Sequence, residues 1–183
     1  ARREALAASL NVPVIRLASE LPPGAMLERL HLLGFASLDQ SAEHYGLSLA
    51  LGSGEITLRE LAAAYVTLAR TGSAIELRYT EDDPAPAPVQ VLDQGTTAAV
   101  VEAIADPSAR LRLLQGRSPF DIGYPLALKT GTSSGYRDAW TAGFTHEYTV
   151  VVWVGNADGS PMHEVTGAMG GGPLFADVMR RAM

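Results

Sequence analysis

The sequence predicts an α/β chain in one functional domain. A mainly helical lobe is expected over residues 1–125, and an antiparallel sheet with a C-terminal helix over residues 126–183. Three observations carry this expectation. Apolar residues recur at helical spacing, between caps and stops, through most of the first 105 residues. Three β-rich runs follow at 126–132, 139–145 and 148–155, the last two joined by the tight His146-Glu147 turn. Val150-Val151-Val152-Trp153-Val154 is unbroken apolar chain, the pattern of a strand buried on both faces. Consecutive strands are usually spatial neighbours, so the three form one antiparallel unit with the final helix against it.

Taken in order, residues 2–8 read as a short helix ending near Ser9-Leu10-Asn11. Asn11 reads as the N-cap of a helix over 12–21, with Pro13 in its first turn and Pro22-Pro23-Gly24 ending it. Met26, Leu27, Leu30 and Leu33 place a helix over 25–33, and Gly34 sits where a left-handed cap belongs. A turn of helix is expected at 38–44, and Leu47-Ser48-Leu49-Ala50-Leu51 reads as a short strand or buried loop. Thr57-Leu58-Arg59-Glu60 is a capping box, so a helix runs from there to about Arg70, stopped by Gly72. Ile75, Leu77 and Tyr79 alternate with polar residues and predict a strand. The acidic, proline-rich stretch 81–88 is a surface loop, and 89–92 returns as a strand. Asp93 caps a helix through about Ala105, a helical piece is expected at 108–114, and 116–124 reads as loop. Gly170-Gly171-Gly172 reads as a flexible turn, with Pro173 starting the final helix.

Composition narrows the function classes. With 47% apolar and 19% charged residues among 183, the chain can bury a sizeable core. A formal charge of −6 argues against a nucleic-acid binder built on phosphate contacts. The absence of cysteine excludes disulfides and thiolate chemistry, and no apolar run is long enough to span a membrane. The four histidines are scattered without metal-ligand spacing, and no dinucleotide or Walker glycine pattern appears, so neither a metal nor a cofactor is expected. The chain opens without methionine and as if inside a helix, which reads as a piece of a longer protein.

Two stretches carry candidate chemistry. Lys129-Thr130-Gly131-Thr132 is a strand that takes a cation, two hydroxyls and a glycine past a surface. Glycine within a strand marks close approach by another backbone, and the lysine can anchor an anion. Ser9-Leu10-Asn11, at a helix-to-helix junction, presents a hydroxyl and an amide to one cleft, alongside the capping role read for Asn11. Ser133 and Ser134 follow the lysine strand, but no serine here has a lysine three residues on in the right context.

An SxN sequence, Ser9-Leu10-Asn11, with a KTGT sequence, Lys129-Thr130-Gly131-Thr132, about 120 residues later supplies two elements of the SxxK, SxN and KTG triple. With Leu51-Gly52-Ser53-Gly54-Glu55-Ile56-Thr57, Leu61-Ala62-Ala63-Ala64-Tyr65 and the run 129–145, the whole chain resembles the class A, bifunctional penicillin-binding proteins. The resemblance implies a penicillin-binding transpeptidase, β-lactamase-like fold, truncated at its N-terminus and lacking the first strands of its sheet. The SxxK serine of that family lies before SxN, so this chain is expected to hold no nucleophile and to be inactive alone.

The resemblance further implies a serine acyl-enzyme that cross-links peptidoglycan stem peptides at D-Ala-D-Ala and is acylated by β-lactams. Ser9 then shuttles a proton, Asn11 orients substrate, and Lys129 supplies positive potential. Thr130, Gly131 and Thr132 bind the substrate, and the backbone N–H of Thr132 is half of an oxyanion hole. A membrane-anchored parent with a glycosyltransferase domain, facing the periplasm or cell exterior, is implied in the same way. Tyr136, Arg137, Asp138 and Trp140 read as structural, with Arg137 and Asp138 an exposed pair. A non-catalytic penicillin-recognising sensor, a serine β-lactamase and an unrelated binding module remain open as alternatives.

Overall fold

The computed structural model describes residues 2–108 and 120–183. Helices α1 (Arg2–Ala7), α2 (Asn11–Ala18), α3 (Ala25–Leu32) and α4 (Ala42–Tyr45) lead into a 3-10 helix at Gly46–Leu51. Helix α5 (Leu58–Ala69), a two-residue ribbon of β1 (Ser73–Ala74) and β2 (Val89–Gln90), and α6 (Gln94–Ile104) follow. Strands β3 (Ala127–Thr132), β4 (Asp138–Phe144) and β5 (Thr149–Gly155) form an antiparallel sheet in the order β3-β4-β5. Helix α7 (Gly167–Ala182) closes the chain. The helical piece expected at 108–114 lies, beyond Ser108, outside the described residues; the expected loop at 116–124 is described from residue 120, and residues 120–126 hold no helix or strand.

The sheet is covered on both faces. Leu126, Leu128 and Val152 pack with Phe175, Ala176 and Met179 of α7. On the opposite face Ala127 and Phe144 pack against Ile104, with Leu6, Tyr65 and Leu68 around them. This alternation along β3 sends odd-numbered side chains toward α1 and α6, and even-numbered ones toward α7. A separate helical cluster holds Leu27, Phe35, Leu38, Tyr45 and Leu49.

The caps read from sequence are largely present. Gly34 has φ +94°, and Phe35 N and Gly34 N donate to Leu30 O and His31 O, a Schellman closure of α3. The capping box of α5 is complete, and Asp93 Oδ1 accepts from Thr96 N at 2.7 Å to start α6.

Glu60 takes a second pair of donors from outside the helix. Its carboxylate accepts from Thr57 N and Oγ1 at 2.8 and 2.9 Å, and from Ser37 N and Oγ at 2.7 and 2.8 Å. Burial alone would raise its pKa, but these bonds from Thr57 and Ser37 outweigh it and bring the carboxyl from 4.5 to about 2. A depressed acid stabilises the fold fully above 4.5, and that contribution is lost as pH falls toward about 2. Glu60→Gln should therefore lower stability at pH 7 by about 1–2 kcal/mol after allowance for solvent screening. Denaturation curves of variant and parent should converge near pH 2; a gap that persists there would contradict the charge-based account.

Several expectations are corrected. Asn11 is the first residue of α2 and not its cap; Leu10 holds the cap position and makes no side-chain capping bond. The 47–51 segment is a 3-10 helix, because only Leu49 (8% exposed) enters the core while Leu47 and Leu51 stay at 44% and 47%. Among the described residues no neighbouring strand takes its backbone groups. The strand expected through Ile75, Leu77 and Tyr79 is absent beyond Ala74. Ala74 pairs with Val89, so the same register would set Pro88, Pro86 and Pro84 opposite those three residues. Prolines bring no N–H to a ladder, and the ribbon ends.

The apolar run in β5 is not fully enclosed. Only Val152 is buried, and Trp153 is 37% exposed, because β5 is an edge of the sheet. Among the described residues Arg137 and Asp138 form no ion pair; Asp138 Oδ1 accepts from Trp153 Nε1 at 2.9 Å and ties β4 to β5. The largest correction concerns the glycine trio, which lies inside α7 together with Pro173. A Cβ on Gly170 would meet Val165 Cγ1 at 2.4 Å, and one on Gly171 would meet Thr141 Oγ1 at 2.8 Å. These glycines let the helix lie directly on the sheet, and Thr166 caps it by accepting from Met169 N at 3.3 Å.

Candidate active site

The cleft lies where the α1–α2 junction faces β3. Helix α1 ends with Leu10 N donating to Ala5 O at 2.9 Å and Ser9 N to Leu6 O at 3.1 Å, again a Schellman pattern. Here the left-handed position belongs to Ser9, with φ +53°. A residue with a Cβ costs about 1 kcal/mol or more in that conformation, and such strain gathers at functional sites. The sharp turn brings Ser9 over β3, and Lys129 Nζ donates to Ser9 Oγ across 120 residues of sequence.

Lys129 also donates to Thr130 O at 2.8 Å. Burial pushes its pKa below the ordinary 10.5, and none of the ion pairs among the described residues includes it. A half-buried ammonium with two neutral acceptors and no carboxylate among the described residues has the chemistry to receive an anion.

Asn11 stands two residues further, as the first residue of α2, and lines the same cleft. Freed from capping, its side-chain amide makes no hydrogen bond among the described residues. Thr130, Gly131 and Thr132 continue the wall along β3. The cleft measures about 520 Å³ and is completed by Leu10, Val14, Leu51 and Phe120 as apolar lining.

The backbone of β3 also has a direction. Gly131 N and O and Trp140 O all lie within 3.0 Å of the point where a Cβ on Gly167 would stand. Two carbonyl oxygens so close mark Gly131 and Trp140 as a hydrogen-bonded pair of the ladder. By the alternation of an antiparallel ladder, the polar groups of Thr130 and Thr132 then face the outer edge of β3, which has no strand beside it among the described residues. The bond from Lys129 Nζ to Thr130 O agrees with this. The nearest contact for a Cβ on Gly131 is Trp140 Cβ at 3.7 Å, ordinary van der Waals distance. The fold itself has room for a side chain there.

All six residues singled out from sequence (Ser9, Asn11, Lys129, Thr130, Gly131 and Thr132) thus line one cleft. Ser133 does other work: its Oγ accepts from Asp138 N at 2.8 Å and its N donates to Asp138 O at 3.0 Å, closing the β3–β4 connection. Thr166 and Ala168 of the α7 start, Ala50 and Leu51, and Phe120 also line the cleft and were not foreseen. A threonine before glycine at 166–167 was the one available signal, a cap ahead of a helix. Nothing local marks Phe120. Among the described residues no cluster of three or more acidic or histidine side chains is placed to hold a metal, and no helix is long and apolar enough to cross a membrane.

Comparison with known proteins places these features in a family context. The family model described as penicillin binding protein transpeptidase domain matches residues 2–180. Penicillin-binding protein 1C of Escherichia coli (strain K12) is 34% identical over 175 residues, covering 96% of this chain and 22% of that protein. Penicillin-binding protein 1A of Neisseria meningitidis is 30% identical over 197 residues, covering 99% of this chain and 24% of that one. The chain therefore spans less than a quarter of these curated relatives. Among solved structures, the PonA1 protein from Mycobacterium tuberculosis in complex with penicillin V shares the fold at TM-score 0.80 and 24% identity. That match covers 98% of this chain and 55% of PonA1.

Proposed function

The chain belongs to the penicillin binding protein transpeptidase domain family, and from that premise we propose that it forms one wall of a serine D,D-transpeptidase active site. The substrate is the D-Ala-D-Ala terminus of a peptidoglycan stem peptide, with β-lactams as acylating mimics, and the protein acts outside the cytoplasm. The observation that carries this reading is the contact of Lys129 Nζ with Ser9 Oγ, in a cleft shared with Asn11 and the outer edge of β3.

The chemistry follows from the groups at hand. A serine outside these 183 residues attacks the carbonyl carbon of the D-Ala-D-Ala amide. The carbonyl oxygen becomes an oxyanion, held by the Thr132 N–H on the free strand edge together with a donor beside the nucleophile. Collapse breaks the C–N bond and expels the terminal D-alanine, whose amine takes, through the Ser9 hydroxyl, the proton that the attacking serine gave up. An amine from a second stem peptide then attacks the ester, gives up a proton along the same route, and regenerates the serine.

The terminal carboxylate of the donor rests against the Lys129 ammonium and the Thr130 and Thr132 hydroxyls. Asn11 holds the donor's peptide by its side-chain amide. The donor adds along β3 as an extra strand, which gives Gly131 its purpose: the fold tolerates a Cβ there, but the ligand's backbone does not.

Fluorescent penicillin tests this. The full-length protein should take up one equivalent covalently, and residues 1–183 alone should take up none, because they lack the nucleophile. A stable adduct on Ser9 of the isolated chain would overturn the assignment.

A further inference from the structure

We infer that Gly167 is a positioning residue for the anion-binding strand and acts through Thr132; this rests on the reading of Thr132 given above. Gly167 is held to the sheet by both of its backbone polar groups. Its N–H donates to Thr132 Oγ1 at 2.9 Å, and its carbonyl accepts from the fully buried Thr141 Oγ1 at 2.8 Å.

The fit leaves no space for a side chain. A Cβ on Gly167 would lie 2.4 Å from Gly131 O and 2.5 Å from Trp140 O, and both are ladder backbone that cannot swing aside. To regain normal contact the start of α7 would have to retreat by about 1 Å, the scale of misplacement that costs about 100-fold in a preorganised site.

The contact fixes more than distance. A threonine hydroxyl has one hydrogen and two lone pairs. The Gly167 N–H takes one of those lone pairs, and among the described residues no group takes the hydroxyl hydrogen. That hydrogen is therefore free for the cleft, where an anion needs a donor. A neighbouring N–H on the oxygen also strengthens the hydroxyl as a donor, because hydrogen bonds in a chain polarise one another. Gly167 thus sets Thr132 as a carboxylate-facing donor without touching the ligand.

The test compares acylation of the full-length protein by penicillin and by penicillin methyl ester, which lacks the carboxylate charge. In Gly167→Ala the acid-to-ester ratio of second-order rate constants should fall about 10-fold or more, with the ester rate nearly unchanged. Thr132→Ala should lower the ratio similarly, Thr132→Ser should preserve it, and the double variant should be no worse than either single one. If Thr132→Ala leaves the ratio unchanged, the reading of Thr132 itself fails. If Thr132→Ala lowers the ratio but Gly167→Ala leaves it intact, or reduces acid and ester rates equally, the role of Gly167 fails. Should Gly167→Ala not fold, Thr166→Ala loosens the same helix start by removing its cap. A ratio lowered several-fold in that variant supports the role, and an unchanged ratio overturns it.

Discussion

Lys129→Ala in the full-length protein should lower the rate of acylation by penicillin about 10²–10³-fold, the scale of truncating one member of a buried, hydrogen-bonded charge pair. The ammonium is half-buried and, among the described residues, has only Ser9 Oγ and Thr130 O as partners, so on the proposed reading its charge is free for an incoming anion. The fold should not suffer. Burial lowers the lysine's pKa, so between its folded value and 10.5 the unfolded chain binds more protons, and this group's contribution to stability rises with pH. Below that window the lysine is a cost, and the alanine variant should melt no lower than its parent. The same shift sets a pH limb. Acylation by a carboxylate-bearing β-lactam should decline as pH rises through the lowered pKa, before 10.5, and the limb should be missing in Lys129→Ala. A folded Lys129→Ala protein that labels at the normal rate would remove lysine from the site.

Ser9→Gly should separate activity from stability. Glycine enters the left-handed position at no steric cost, so the Schellman closure at φ +53° should gain about 0.5–1 kcal/mol. The hydroxyl proposed to relay the proton is lost, and cross-linking should fall about 10²–10⁴-fold, the usual contribution of a positioned acid or base. Such opposition is expected where a strained residue is retained for its chemistry. Thermal melting and a cross-linking assay on one preparation check both halves. A variant that is less stable and still active would show that Ser9 is held there for the fold.

The residues of the candidate site are easier to single out in the sequence than several elements of the fold that carries them. Ser9, Asn11 and the lysine strand stand out as candidates because their chemistry depends on residue type and order, which sequence displays directly. Their meeting was not readable from periodicity, since it depends on a left-handed serine and on a strand edge 120 residues away. Helix α5 and the Gly34 closure were plain because their signals are local and their partners lie within a few residues. The misreadings share the opposite cause. Prolines 84, 86 and 88 end a strand only because the register sets them opposite Ile75, Leu77 and Tyr79. Gly170 and Gly171 look like a turn until the sheet beneath them is known, and then they are the reason the helix can approach it. Asn11 has the chemistry of a cap, but the Schellman turn puts it one position too far along.

The most direct measurement is a crystal structure of the full-length protein acylated by penicillin. The account predicts an ester on a serine outside residues 1–183, with the carboxylate of the adduct against Lys129, Thr130 and Thr132, its acyl oxygen on the Thr132 N–H, and Ser9 and Asn11 at its flank. An adduct carried by Ser9, or one whose carboxylate lies away from β3, would contradict it.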